Sequence, residues 1–308
     1  MAKSTNTTSK PKAVRPSKGT PSERCEPARG TLIIIGGHED KEGEKVILRE
    51  VARRVGSGKL VVATLASEVA EEMWKEYRRV FRGLGVRHIH HLGPIEREEV
   101  IRLRQAKVLE DAKAVFFTGG HQLLITTRLG GSLLSEMIRE IYESGGIIAG
   151  TSAGASMMGE LMPVYGEGLP RHGIRGMSML APGLGLLRDV IIDQHFAERG
   201  RVGRLLGALA LNPRLLGLGI DEDTAVVVEK ERNFGVIGSG AVHVADGLEV
   251  SYSNVAEDDP DRALSIFDVR LHLLSSGDTF DLEARRPTPH TAEPEVEEKA
   301  LKAGAGRS

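Results

Sequence analysis

The stretch Glu143–Glu160, ESGGIIAGTSAGASMMGE, is an apolar run that reaches a serine and leaves it as a series of small residues. Gly145 to Ala149 read as a short buried strand, and the residues after Ser152 read as the start of a helix. A serine at such a junction has a plain explanation, because a parallel strand turns sharply into its helix and Ser, Thr and Gly collect there as turn and cap residues. It also has a sharper one. Gly150, Ala153, Gly154 and Ala155 leave space around Ser152, as a strained turn requires when it lifts a nucleophile's hydroxyl above a sheet. A cap needs no such clearance. Beside a helix N-terminus, the amide of Ala153 can also point at a developing oxyanion.

Working outward, TLIIIGG (31–37), KLVVATL (59–65), VRHIHHLG (86–93), KAVFFTGG (113–120) and GGIIAGT (145–151) are short apolar runs. Helical patterns such as EKVILREVARRV (44–55) and EVAEEMWKEYRRVFRGLG (68–85) separate them. That alternation predicts an α/β fold, a predominantly parallel sheet with crossover helices on both faces. After Gly159 the rhythm changes to DVIIDQHF (189–196), a helix from about Arg199 to Leu211, then LLGLGID (215–221), TAVVVEK (224–230), NFGVIGSG (233–240) and AVHVADGLEVSY (241–252). Such close-spaced runs predict β-hairpins finishing the C-terminal part of the sheet. Residues 1–29 and 285–308 are rich in Ser, Thr, Pro and charge, with little apolar periodicity, and are expected to be disordered tails. One catalytic domain, 30–284, lies between them.

Composition narrows the function. A chain of 308 residues with 40% hydrophobic residues can bury a large core, and its formal charge of −2 offers no footprint for nucleic acid. Aromatic residues at 4% leave few platforms for stacking single strands. No apolar run approaches membrane-spanning length and no secretion-signal core stands at the N-terminus, so a cytoplasmic enzyme is expected. The lone cysteine, Cys25, excludes an intrachain disulfide and a multi-cysteine metal site.

In a parallel sheet, ligands bind beyond the carboxyl ends of the strands. VFFTGGHQ places Gly119 and Gly120 there, free to turn their amides on a substrate oxygen or merely to make a turn. VIIDQHF ends a strand with Asp193, Gln194 and His195, and LGLGIDEDTAVVV ends one with Asp221, Glu222 and Asp223. Each alone is as well explained by capping or solvation. Together, a serine, a histidine and a carboxylate at strand ends meet the needs of acyl transfer: nucleophile, general base, and a group that fixes the imidazole. HIHH (88–91) invites a metal reading, but no acid or cysteine stands beside it in sequence and outward strand polarity explains it better. IIIGGHEDKEGEK lacks the third spaced glycine of a dinucleotide fingerprint. No metal and no cofactor is expected.

The ordered set IIIGGHEDK, FFTGGHQ, GTSAGAS, PGLGLLRDVIIDQHFAERGRVGRLL and GLGIDEDTAVVV, between about Gly30 and Gly247, resembles the cyanophycinases. These belong to a serine peptidase family that also contains aspartyl dipeptidases, and their fold is similar to that of class I glutamine amidotransferases. The resemblance implies Ser152 as nucleophile, His195 as general base and Glu222 as the acid that orients it, with the amides of Gly120 and Ala153 as oxyanion hole. It implies a substrate cleft lined by Gln122, Asp193, Gln194, Arg199, Arg201 and Arg204. His121 stands where the family pattern more often carries an acidic residue. The implied substrate is cyanophycin, a polyaspartate with arginine joined to each side-chain carboxyl, and the implied product is the β-linked Asp-Arg dipeptide released from the polymer's C-terminal end. Arginines in HFAERGRVGRL suit its carboxylates, although a basic solvent face would look the same. A homodimer is also implied. Two other readings are a dipeptidase for short aspartyl or isoaspartyl peptides, and a binding protein that keeps the fold without the chemistry. The long match from Pro182 to Leu206 speaks against the first, and the intact serine, histidine and glutamate against the second.

Overall fold

The computed structural model describes residues 29–95, 106–164, 179–257, 259 and 262–291. Cys25 and most of both expected tails lie outside the described residues.

Nine strands form the larger sheet, in the order β17-β16-β11-β10-β1-β5-β4-β2-β3. Its parallel half is β1 (Thr31–Ile35), β5 (Ile147–Thr151), β4 (Ala112–Phe117), β2 (Lys59–Ala63) and β3 (His88–Leu92). β10 (Thr224–Glu229), β11 (Asn233–Gly238), β16 (Thr279–Asp281) and β17 (Arg286–Thr288) extend it antiparallel. β1 shows why the centre of the sheet reads as an unbroken apolar run: both of its faces are covered. Leu32 and Ile34 join the core that includes Leu134 and Ile138 of the helix Leu133–Glu143, while Ile33 and Ile35 pack with Leu48, Val51 and Phe81 of the helices Val46–Val55 and Ala70–Gly83. Each such buried side chain contributes roughly 1.5–3 kcal/mol.

The later strands do not all finish that sheet as hairpins. β6 (Gly159–Val164), β7 (Met179–Pro182), β8 (Leu187–Gln194), β9 (Leu216–Ile220), β12 (Val242–Asp246) and β15 (Arg270–Leu274) build a second, six-stranded sheet, in which β8 lies parallel between β6 and β9. β13 (Tyr252–Ser253) and β14 (Ile266–Phe267) form a small separate pair. Val190 and Ile192 of β8 share the core of Leu32 and Ile34, whereas Ile191 faces the helix Val202–Leu211 with Phe196 and Leu205. That helix begins three residues later than its sequence pattern suggests, because Phe196 to Arg201 first form a turn closed by Arg201 N–H donating to Phe196 O.

The fold also runs past residue 284. Asp281 Oδ1 accepts from the amides of Glu283 and Ala284, turning the chain so that β17 pairs with β16. β17 is short, exposed and carries Pro287, features of an edge strand that leave no apolar alternation to read.

Candidate active site

The loop leaving β1 gathers the site. Ile35 O accepts from Ser152 N at 3.0 Å, Gly36 O from His195 N at 2.8 Å and Gly37 O from Asp223 N at 2.8 Å. Three distant segments therefore hang on three successive carbonyls. Gly37 (φ +111°) is needed for this, since a Cβ there would fall on the imidazole of His195.

Ser152 sits at the end of β5 with φ 54° and ψ −114°, a conformation that costs a non-glycine residue about 1–3 kcal/mol. Packing fixes it: a Cβ at Gly150 would strike Gly154 O, and one at Gly154 would strike Phe117 O. Beneath the turn lies Glu39, a buried carboxylate that the sequence pattern did not single out. It accepts from Thr151 Oγ1 at 2.6 Å and from Tyr77 Oη. Burial and the Glu39 charge push the Tyr77 phenol well above its usual range, which keeps it a donor.

Ser152 Oγ lies 2.9 Å from His195 Nε2, and His195 Nδ1 lies 2.5 Å from Glu222 Oε1. The expected nucleophile, base and acid are thus brought into one hydrogen-bonded run. Burial lowers the pKa of His195, and the hydrogen bond to Glu222 opposes this only in part. Desolvation raises the pKa of Glu222, but hydrogen bonds with His195 and His38 outweigh it and the net shift is downward. At neutral pH the pair is a neutral imidazole beside a carboxylate.

Ser152 opens into a cavity of about 180 Å³ that is also lined by Gly120, His121, Gln122, Gln194, Arg199, Arg201 and Arg204. Gly120 (φ +140°) is pressed so closely on Ala66 O that a Cβ could not fit, while Ala153 opens the helical turn after Ser152, where amides lack intrahelical acceptors. Gln122 donates to Pro163 O on β6. Arg199 is exposed, and among the described residues no ion pair holds it. A larger cavity, about 820 Å³, lies around Glu50, Arg54, Phe234 and Thr279. It contains no nucleophile beside a base, so chemistry and not size locates the site.

Asp193 does not line the cleft. It is fully buried, with Arg204 Nε donating to Oδ2 at 2.6 Å and Arg201 Nη1 to Oδ1 at 3.3 Å. Alternation along β8 turns Asp193 to the side of Ile191, toward the helix carrying Arg204. Asp193→Ala would remove the buried carboxylate that Arg204 and Arg201 share, and a loss of about 3–5 kcal/mol of stability is expected, to be read by denaturant unfolding. Asp221 is likewise structural, accepting from Ala197 N and Ala241 N, and Asp223 accepts from Asp40 N and Ser239 Oγ. In the HIHH run, His88 and His90 are exposed, while His91 stacks on Trp74 and bonds Thr64 Oγ1 at 2.8 Å. Beside His195 and His121, a further histidine reaches the site: His38, whose Nδ1 is 2.9 Å from Glu222 Oε2.

Comparison with known proteins defines the class. Residues 32–235 match the model of Peptidase family S51. Cyanophycinase of Synechococcus elongatus is 36% identical over 261 residues, covering 84% of this chain and 81% of that one. Cyanophycinase of Trichormus variabilis is 37% identical over 84% of this chain and 87% of its own. A solved peptidase from an acI-B1 actinobacterium shares the fold, with a TM-score of 0.63 at 23% identity over 83% of this chain and 98% of that one. The chain is a hydrolase of the peptidase class. It belongs to peptidase family S51. Among the described residues, no helix is long and apolar enough to cross a membrane.

Proposed function

We propose that the chain is a serine-type exopeptidase that hydrolyses cyanophycin to β-Asp-Arg dipeptides through an acyl-enzyme on Ser152. The observation that carries this reading is the Ser152–His195–Glu222 run at a strained strand-to-helix turn. It is supported by the relatives named cyanophycinase. His195 Nε2 takes the proton of Ser152 as Oγ attacks the main-chain carbonyl of an aspartyl unit. The amides of Gly120 and Ala153 receive the oxyanion, and His195 returns the proton to the departing amine. That amine is the terminal β-Asp-Arg unit, which leaves at this step; water, activated by the same imidazole, then frees the shortened polymer from Ser152. Glu222 keeps the Nδ1 proton in place and stabilises the imidazolium. Arg199 and Arg201 offer guanidiniums to the free carboxylate of the substrate's branch arginine, while Asp193 holds Arg201 and Arg204 in position. The resemblance further implies a homodimer, which sedimentation would test.

The experiment is a comparison of kcat/KM on insoluble cyanophycin with that on short isoaspartyl dipeptides. Preference for the polymer supports the reading; efficient cleavage of the dipeptides alone would transfer it to a dipeptidase. The site also sets the pH profile. Catalysis needs neutral His195, and burial delays its protonation, so the acid limb of kcat/KM is expected below the ordinary histidine value of 6.5. Activity is retained down to that limb and lost as pH falls through it. A limb at or above 6.5 would contradict the assignment.

A further inference from the structure

We propose that His38, His195 and Glu222 form a site for a divalent transition metal that switches the catalytic run off. Their ligand atoms all lie within 4.8 Å of one another. Two imidazoles and a carboxylate, with a position left for water, are a donor set that suits zinc. His38 Nδ1 and His195 Nδ1 face the two oxygens of one carboxylate, at 2.9 and 2.5 Å. A cation takes the place of the two bridging protons there.

Zinc holds nitrogen and oxygen at about 2.0–2.2 Å, which sets tetrahedral ligands about 3.4 Å apart, so the nitrogen–oxygen contacts of 2.9 and 2.5 Å must open, with Glu222 and His38 shifting around the ion. His38 has the freedom to do so, its side chain being 71% exposed, while that of His195 is 4% exposed and fixed. The His38 ring stands edge-on to His195, with centroids 5.1 Å apart. Its backbone is held at φ 49° between Gly37 and the buried Glu39. The loop leaving β1 thus presents the ring to Glu222 and to solvent together, which gives the metal a path in.

The chemical consequence is specific. Metal on His195 Nδ1 displaces that proton to Nε2, since a neutral imidazole carries one. Nε2 then points an N–H at Ser152 Oγ, 2.9 Å away, and cannot accept its proton. No bond to substrate is involved, because neither His38 nor Glu222 lines the cavity beside Ser152. Zinc should therefore lower kcat at unchanged KM, whereas a metal on Nε2 or Ser152 would compete with substrate. This consequence rests on the proposed catalytic roles of Ser152 and His195; the binding does not.

The binding test uses the full-length Ser152→Ala protein and the same protein carrying His38→Asn, each dialysed to equilibrium against micromolar zinc chloride in a buffer that does not chelate. Asparagine tolerates the left-handed backbone and does not replace an imidazole as a zinc ligand. The expected result is one bound zinc fewer per chain in the His38→Asn protein, or one site weakened at least about tenfold, the loss already typical when a ligand's hydrogen-bond partner is removed. Equal stoichiometry and affinity in the two proteins would overturn the site. With the active protein and cyanophycin, zinc is expected to lower kcat alone, reversed by EDTA; a rise in KM with kcat intact would overturn the switching mechanism. Should the active protein cleave nothing, the catalytic reading falls and the dialysis still decides the site.

Discussion

Ser152→Ala is expected to lower kcat by on the order of 10⁶-fold, the loss typical of removing a serine nucleophile whose base remains. On the proposed mechanism the residual rate reflects binding and oxyanion stabilisation by the amides of Gly120 and Ala153, backbone donors that alanine leaves in place. The fold should survive: among the described residues Ser152 Oγ hydrogen-bonds His195 and, at 3.5 Å, Gln194, and its backbone conformation is imposed by Gly150, Gly154 and Phe117. Alanine bears the same positive φ no more comfortably than serine, so stability should change little. Steady-state kinetics with circular dichroism checks both halves. A loss of only tenfold would mean that another group attacks the substrate.

Glu222→Gln is expected to cost about 10⁴-fold in kcat at nearly unchanged KM. An amide in this place can donate to His195 Nδ1, which moves the ring proton to Nε2 and turns the base away from its task. His38 sharpens the expectation. Among the described residues, its hydrogen bond to Oε2 is the contact that orients the glutamine amide with its oxygen toward His195. Combining Glu222→Gln with His38→Asn therefore separates orientation from charge. If the double variant is slower still, His38 had been orienting the amide; equal rates would assign the whole loss to the missing charge. The partial exposure of Glu222, 24% at the side chain, makes a large stability change in either variant unexpected. Retention of full activity by Glu222→Gln would remove Glu222 from the mechanism.

The elbow is legible in sequence because its requirement is steric. A serine lifted above a sheet at a tight strand-to-helix turn needs small neighbours where other backbone packs against it, and GTSAGA supplies them in one contiguous run. The strand-end positions of His195 and Glu222 are legible for a similar reason, each standing after an apolar run that must end where the sheet opens. Their convergence is not, because it depends on Gly36 and Gly37 carbonyls that say nothing in sequence about which amides they accept. The second sheet is hidden likewise: apolar runs declare strands but not partners, and β8 and β9 pair parallel in a sheet of their own although their runs look like those of β10 and β11. Asp193 and His195 look alike as polar residues after DVII. Strand alternation would put both on one face; Asp193 follows it to Arg204 and the helix, while positive φ at His195 breaks it and turns the ring to Ser152. A signal for His38 does exist, a histidine just past a glycine pair at a strand end, but nothing nearby in sequence pairs with it.

The most direct test is to incubate the purified protein, beside its Ser152→Ala variant, with insoluble cyanophycin and weigh the soluble products by mass spectrometry. β-Asp-Arg from the parent and none from the variant is the predicted result. Contradiction would be an inert parent, or the same dipeptide released at equal rates by both.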